Sequence, residues 1–332
     1  AFLVLSRVTM KNFLLVVLAG ALPLGASANL FFDNFDTDST ANWSFFSSIA
    51  ADTANDGVGS EANVFFDYST VRIASAPNSV GGTTRGMKVQ ANLSTGVFSG
   101  MSMSPTGQSF TGDYIMTMDV WQNYNGPAPA GGSGSTQLTM AGIGTAGASA
   151  QFQGAGLDGR IFGATGDGGS ATAFRAYNNV GAPLADTSGA YAAGNTAGVT
   201  NNSNAYYSGF QGTIPGAQTA LFPQQTGAPA VGVQAFKWRQ WRITKSGDTV
   251  TWEIVDNNVP TLIATMAYGT PGGTNIAIGQ SDINATSSTD PNAGALLFGL
   301  VDNVQVTAVP EPATMVVLGL GAAAVLRRRK KS

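Results

Sequence analysis

The chain contains neither cysteine nor histidine in 332 residues. That absence removes disulfides, thiolate or imidazole metal centres, Ser-His-Asp triads and Cys-His pairs. An exported chain of this kind must fold by packing alone. Charge is scarce as well, at 11% of residues against about 25% in an average protein. The surface must then be wetted by Ser, Thr, Asn and Gln, as suits an extracellular β-protein. Glutamate is nearly missing: within residues 29–309 only Glu61 and Glu253 occur. A glycosidase needs two carboxyl groups at a fixed separation, yet these two lie in distant segments and no E-x-D-x-x-E arrangement is present. Neither an enzyme nor a cofactor is expected. No apolar run reaches the roughly 20 residues of a membrane-spanning helix, and no stretch of the body has a convincing 3.6-residue period.

The chain does hold ample core material. Hydrophobic residues make up 43% and aromatics 9%, enough for one large domain or two small ones. Gly and Pro together form about 17%, below the roughly 25–30% of low-complexity chains. The formal charge of −3 hides an asymmetry. Arg327, Arg328, Arg329, Lys330 and Lys331 crowd the C-terminal end, while residues 29–309 hold nine basic residues against sixteen Asp and two Glu, a net charge of −9. An acidic body argues against a nucleic-acid partner.

At the N-terminal end Lys11 precedes the apolar stretch FLLVVLAGAL (residues 13–22), Pro23 and the small residues Ala26-Ser27-Ala28. The pattern is that of a secretory signal peptide with an A-x-A site before Asn29, implying passage through the Sec translocon. Ten apolar residues span only about 15 Å as a helix, half of a bilayer core. The MKNFLL opening points to Met10 as the start of the signal, and residues 1–28 are set apart from the fold.

The other end reads Val309-Pro310-Glu311-Pro312-Ala313, then a charge-free segment to residue 326, then RRRKK. Fourteen uncharged residues make a helix of about 21 Å, short for a span, and the cations after it remain cytoplasmic by the positive-inside rule. This order resembles the PEP-CTERM sorting signal of Gram-negative bacteria. The resemblance implies that an exosortase, a membrane-embedded cysteine transpeptidase-like protease, recognises Pro310, Glu311 and Pro312 and removes the tail. It also implies that Arg327, Arg328, Arg329, Lys330 and Lys331 act as a cytoplasmic stop-transfer cluster, and that the body passes to the cell surface or extracellular matrix. Two prolines hold the motif extended and free of helix, as binding in a protease cleft requires.

Between these signals the period is two. TVTWEIV (residues 249–255) alternates, with Val250, Trp252 and Ile254 on one face, and FKWRQWRITK before it joins through SGD as a hairpin. DNNVP makes a further turn. Other candidate strands are NLFFDNF, NVFFDYSTVRI, GMKVQANL, DYIMTMDVWQ, TLIATMA, NIAIG and LLFGLVDNVQV. Residues 125–234 carry only five charges, and short strands are expected there around TQLTMAGIG, GRIFGA and AFRAYNN, since so long a structureless loop does not fit a compact domain. The expectation is an all-β body (29–309), an antiparallel β-sandwich or jelly roll, between the signal peptide and the sorting signal (310–332) with its short hydrophobic helix. The order of NLFFDNF, the late Trp-rich hairpin and GLVDNVQV resembles concanavalin A-like and laminin-G-like sandwiches. That resemblance implies that the first and last strands are neighbours.

Asp33, Asp36 and Asp38 form a D-x-x-D-x-D cluster that lacks the glycine and terminal Glu of an EF-hand loop; Asx-turn chemistry is the expectation, with Ca²⁺ as the alternative. The DNV at residues 302–304 reads as a bulge or turn. Trp252 should point inward, whereas Trp238 and Trp241 have opposite parity, so at most one of them needs burial. The KWRQWR cations either flank an anionic polysaccharide or form a solvated strand face. Three functions fit: a structural or adhesive component associated with exopolysaccharide, a lectin-like module, and, least favoured, a carboxylate glycosidase.

The tail generates a measurement. Intact mass of the surface-recovered protein should show a C-terminus close to residues 310–312, without the apolar run or the arginines. Replacing Pro310 and Pro312 by Ala should let the helix extend backward and leave uncleaved precursor in the membrane. A surface protein still carrying RRRKKS would make the tail a permanent anchor.

Overall fold

Strands form wherever apolar and polar residues alternate. The computed structural model describes residues 27–48, 51–52, 60–91, 99–124, 137–154, 156–166, 172–194, 201–225, 229–282 and 292–309. Ala26, Pro310, Glu311, Pro312, residues 313–326 and the cations Arg327, Arg328, Arg329, Lys330 and Lys331 lie outside them. In chain order the elements are β1 (Asn29–Asp33), β2 (Trp43–Ser47), β3 (Ala51–Asp52), β4 (Ser60–Asp67), β5 (Arg85–Gln90), β6 (Ser99–Pro105), β7 (Tyr114–Asn123) and β8 (Gln137–Thr145). Then come β9 (Arg160–Thr165), β10 (Phe174–Asn178), the short helix α1 (Gly216–Leu221), β11 (Arg239–Ser246), β12 (Thr249–Asp256), β13 (Val259–Ala267), β14 (Asn275–Asp282), α2 (Ala293–Leu296) and β15 (Phe298–Ala308). Among the described residues no helix is long and apolar enough to cross a membrane.

Two sheets form the β-sandwich. One has the order β13-β12-β11-β7-β15-β5-β4-β3, with β1 also on β15; the other runs β10-β9-β8-β14-β6-β2. All pairings are antiparallel except the two-residue contact of β3 with β4. The first and last strands are indeed neighbours, Asn29 lying opposite Thr307. Ala28, just before it, is exposed.

The core lies between the inward faces. From the larger sheet come Met116 and Met118 of β7, Trp241 of β11 and Trp252 of β12; Phe162 of β9 and Phe174 of β10 meet them from the other sheet. Trp252 is fully buried, its ring 4.8 Å from Trp241, 5.5 Å from Phe162 and 6.0 Å from Phe174. Removing an indole of this size from water stabilises the fold by about 4–6 kcal/mol. Between β11 and β12, Gly247 takes the left-handed φ of 56° that a two-residue turn demands.

Several boundaries differ from the sequence reading. NVFFDYSTVRI does not stay extended: the strand stops at Asp67, whose side chain caps a 3₁₀ turn over Tyr68–Val71. LLFGLVDNVQV begins as a strand only at Phe298, since Leu296 closes α2. Strands β2 and β6 were not anticipated. In β6 the inward residues are Met101 and Met103, alternating with the buried Ser102 and Ser104, so its apolar signal is thin.

The DNV segment is a bulge. β15 pairs with β5 through Gly299–Val301 and with β1 from Val304 onward, and its register against β7 shifts between Asp302 and Gln305. Asn303 sits at the kink with φ 53°. There Asp302 faces Asp119 of β7, both fully buried. Tyr68 Oη and Ser79 Oγ donate to Asp302 Oδ2 at 3.1 and 2.8 Å, and the Asn303 N–H donates to Oδ1 at 2.7 Å. Asp119 accepts from the Asn78 backbone and side chain and from Asn303 Nδ2, at 3.1, 2.7 and 3.0 Å. Burial, and to a lesser degree the Asp119 charge, push the Asp302 carboxyl up to about 7, against hydrogen bonds that pull it down. Burial raises Asp119 in the same direction.

A carboxyl whose folded value is raised binds more protons in the native state. Its stabilisation is complete below the unfolded value near 4 and is lost as pH rises through about 7. Few groups titrate between pH 5 and 7 in a chain without histidine. Thermal unfolding should therefore move upward on acidification from pH 7 to 5, by about 2 °C per pH unit. Asp302→Asn should flatten that slope; an unchanged slope would refute the assignment.

Candidate functional site

Parity decides which aromatic residues face outward. Met116, Met118 and Val120 of β7 enter the core, so Trp121 stands on the outer face of the larger sheet; likewise Trp241 is interior and Trp238 lies on the other side. A second apolar cluster forms on that outer face from Trp121, Tyr124, Phe236, Phe298 and Leu300 beneath Tyr68, Val71 and Ile73. Trp238 borders it, half-buried.

Next to this cluster the surface opens into a groove of about 580 Å³. Trp121, Phe236 and Trp238 supply its aromatic lining. Ser75, Pro77 and Asn78 contribute from the segment after β4, and Asp256, Asn257 and Asn258 from the β12–β13 turn. Trp238 is pinned: its Nε1 donates to the Ala74 carbonyl at 2.8 Å, and its ring meets Tyr68 at 5.3 Å and Trp121 at 5.8 Å. Asn257 and Asn258 take φ of 50° and 64°, the paired left-handed conformations that asparagine tolerates in a tight hairpin turn. Both are exposed.

The cations of the KWRQWR segment are engaged within the chain. Lys237 Nζ lies 2.7 Å from the Asp256 carboxylate and Arg239 Nε lies 3.1 Å from it. The Arg239 side chain has no solvent exposure; it also donates to the Gln234 carbonyl at 2.8 Å and packs 5.2 Å over the Phe210 ring. Burial alone would raise the Asp256 carboxyl, but Lys237 and Arg239 outweigh it and hold it below the ordinary carboxylate range. Arg242 Nε pairs with Glu253 at 2.7 Å.

Other sequence-marked residues do not converge here. Glu61 on β4 and Glu253 on β12 are five strand spacings apart in one sheet, about 24 Å, against the roughly 5–10 Å a glycosidase pair requires. Asp33, Asp36 and Asp38 are used in local turns. Asp33 accepts from the Phe35 N–H at 2.9 Å and from Trp43 Nε1 at 2.8 Å, Asp36 from Asn34 and Thr83, and Asp38 from Thr40. Among the described residues no three acidic or metal-ligating side chains could share an ion. Trp121, Phe236, Asn78 and the two turn asparagines were not singled out as site residues from sequence. Only the outward parity of Trp121 could have marked one of them.

Residues 308–330 match the PEP-CTERM protein-sorting motif. The chain thus carries the tail of an exported, exosortase-processed cell-surface protein. No curated protein matches the sequence. Solved structures similar to it include a Bacillus licheniformis β-glucanase, at TM-score 0.39 and 11% identity, covering 86% of this chain and 100% of that one. The VIP36 exoplasmic/lumenal domain in its Ca²⁺/Man-bound form gives TM-score 0.38 and 8% identity, covering 81% and 84%. The CBM2 module of the evolved Dit of Lactobacillus casei BL23 phage J-1 gives 0.36 and 12%, covering 86% and 98%. Likenesses this slight transfer neither a ligand nor an activity.

The ion pairs make a stability prediction. Asp256→Asn leaves the Arg239 guanidinium buried without its counter-charge and should destabilise the protein by about 3 kcal/mol in urea unfolding, whereas Glu253→Gln, at a partly exposed pair, should cost less than about 1 kcal/mol.

Proposed function

We propose that this is an exported, non-catalytic surface or matrix protein of a Gram-negative-type bacterium, structural or adhesive in role, that holds exopolysaccharide in the groove at Trp238. Its transient partners are the Sec translocon and an exosortase-type membrane protease. The observation that carries the reading is the groove itself: a half-buried indole locked in place beside exposed amides. Pyranose rings offer an apolar face to an aromatic ring and hydroxyls to polar neighbours. Holding the ring in advance spares the side-chain ordering that binding would otherwise require. The wide separation of Glu61 and Glu253 supports binding without turnover.

Purified processed protein should be retained on polysaccharide from the producing cells, and Trp238→Ala should weaken retention about tenfold or more with an unchanged CD spectrum. No glycan, peptide or ester hydrolysis should appear above background. Turnover abolished by Glu253→Gln would instead promote a glycosidase.

A further inference from the structure

We infer that the Trp238 groove selects a neutral polysaccharide over an acidic one, an inference that rests on the glycan binding proposed for that groove. Each cation at its rim already has a carboxylate partner within the chain. Lys237 and Arg239 share Asp256, Arg239 has no exposed side-chain surface and also donates to the carbonyls of Gln234 and Gln211, and Asp119 lies directly behind the Asn78 wall. Farther along the same outer face, Arg242 is taken by Glu253.

An acidic chain would have to compete with Asp256 for Lys237, where the resident carboxylate is held by Lys237 at 2.7 Å and by Arg239 at 3.1 Å. Failing that, it would bring unpaired carboxylates against a body whose net charge is −9. Either route carries an electrostatic penalty. The uncommitted groups are of another kind. The side-chain amides of Gln240, Asn257 and Asn258 line the groove and make no hydrogen bond among the described residues. A carboxamide offers two donors and an acceptor, which matches sugar hydroxyls and carries no charge for a uronate to meet.

The test uses the processed protein and two sets of soluble polymers: hydroxyethyl cellulose, dextran, mannan and galactan as neutral probes, and polyglucuronate, alginate and polygalacturonate as acidic ones. At least one neutral polymer should bind more tightly than any acidic one, with affinity changing less than about twofold between 20 and 500 mM NaCl. Asn257→Gly combined with Asn258→Gly keeps the left-handed turn and should lower that affinity about fivefold or more. An acidic polymer that binds best, loses about tenfold over the same salt range and is released by Lys237→Met would overturn the neutral selectivity while leaving glycan binding intact. Absence of binding by every polymer, or binding indifferent to Trp238→Ala, would remove the proposed function and this inference with it.

Discussion

Two carboxyl groups facing each other inside a sheet must find hydrogen-bond donors, and the larger sheet is organised around that requirement. Asp119 and Asp302 are cross-strand neighbours with no solvent contact, so both cannot ionise freely and every oxygen needs a partner. The donors come from Tyr68, Asn78, Ser79 and Asn303. Three of these lie in the segment after β4, which is thereby drawn across the outer face. The bulge that aims Asp302 outward is also the point where β15 exchanges β5 for β1 as its neighbour. One irregularity closes the sheet with the first strand and fastens the covering segment.

The groove inherits its shape from that fastening. Asn78 is held by Asp119, Tyr68 by Asp302, and Trp238 leans on Tyr68 while donating to Ala74 in the same segment. A ring fixed from two sides keeps one orientation, which is what a flat ligand face needs. The opposite wall is equally determined, because the β12–β13 turn is a hairpin whose two asparagines occupy left-handed backbone. Rigidity here comes from strand geometry and buried polar contacts, in a chain with no cysteine to form a disulfide.

Scarcity of charge has a further consequence. Lys237, Arg239, Arg242 and Lys245 each pair with a carboxylate from a neighbouring strand, loop or turn. These pairs tie β11 to β12 and to the residue before β7, and give each of the four cations a partner inside the chain. Such a surface stays wet through Thr, Asn and Gln, which hydrogen-bond without attracting counter-ions.

Much of the architecture was legible from one-dimensional pattern. The alternation around Trp252 determines a strand and its buried face, because a period of two admits only one inward set. The SGD and DNN turns set the register of three consecutive strands, and the tail is readable because its proline motif, apolar run and cations act in linear order. Other features depend on residues far apart in the chain. Strand β6, made of Met, Ser and Gly, is a strand because β2 and β14 flank it and supply the hydrogen bonds its composition does not advertise. Whether Asp302 would be a turn residue or a buried carboxyl was decided by Asp119 and Ser79, more than 180 positions away. Whether the cations of KWRQWR were free was decided by Asp256 on the next strand. The local sequence determined which faces were apolar; only the pairing of strands decided which polar groups would be buried, matched and left over, since burial and charge balance are properties of neighbours in space.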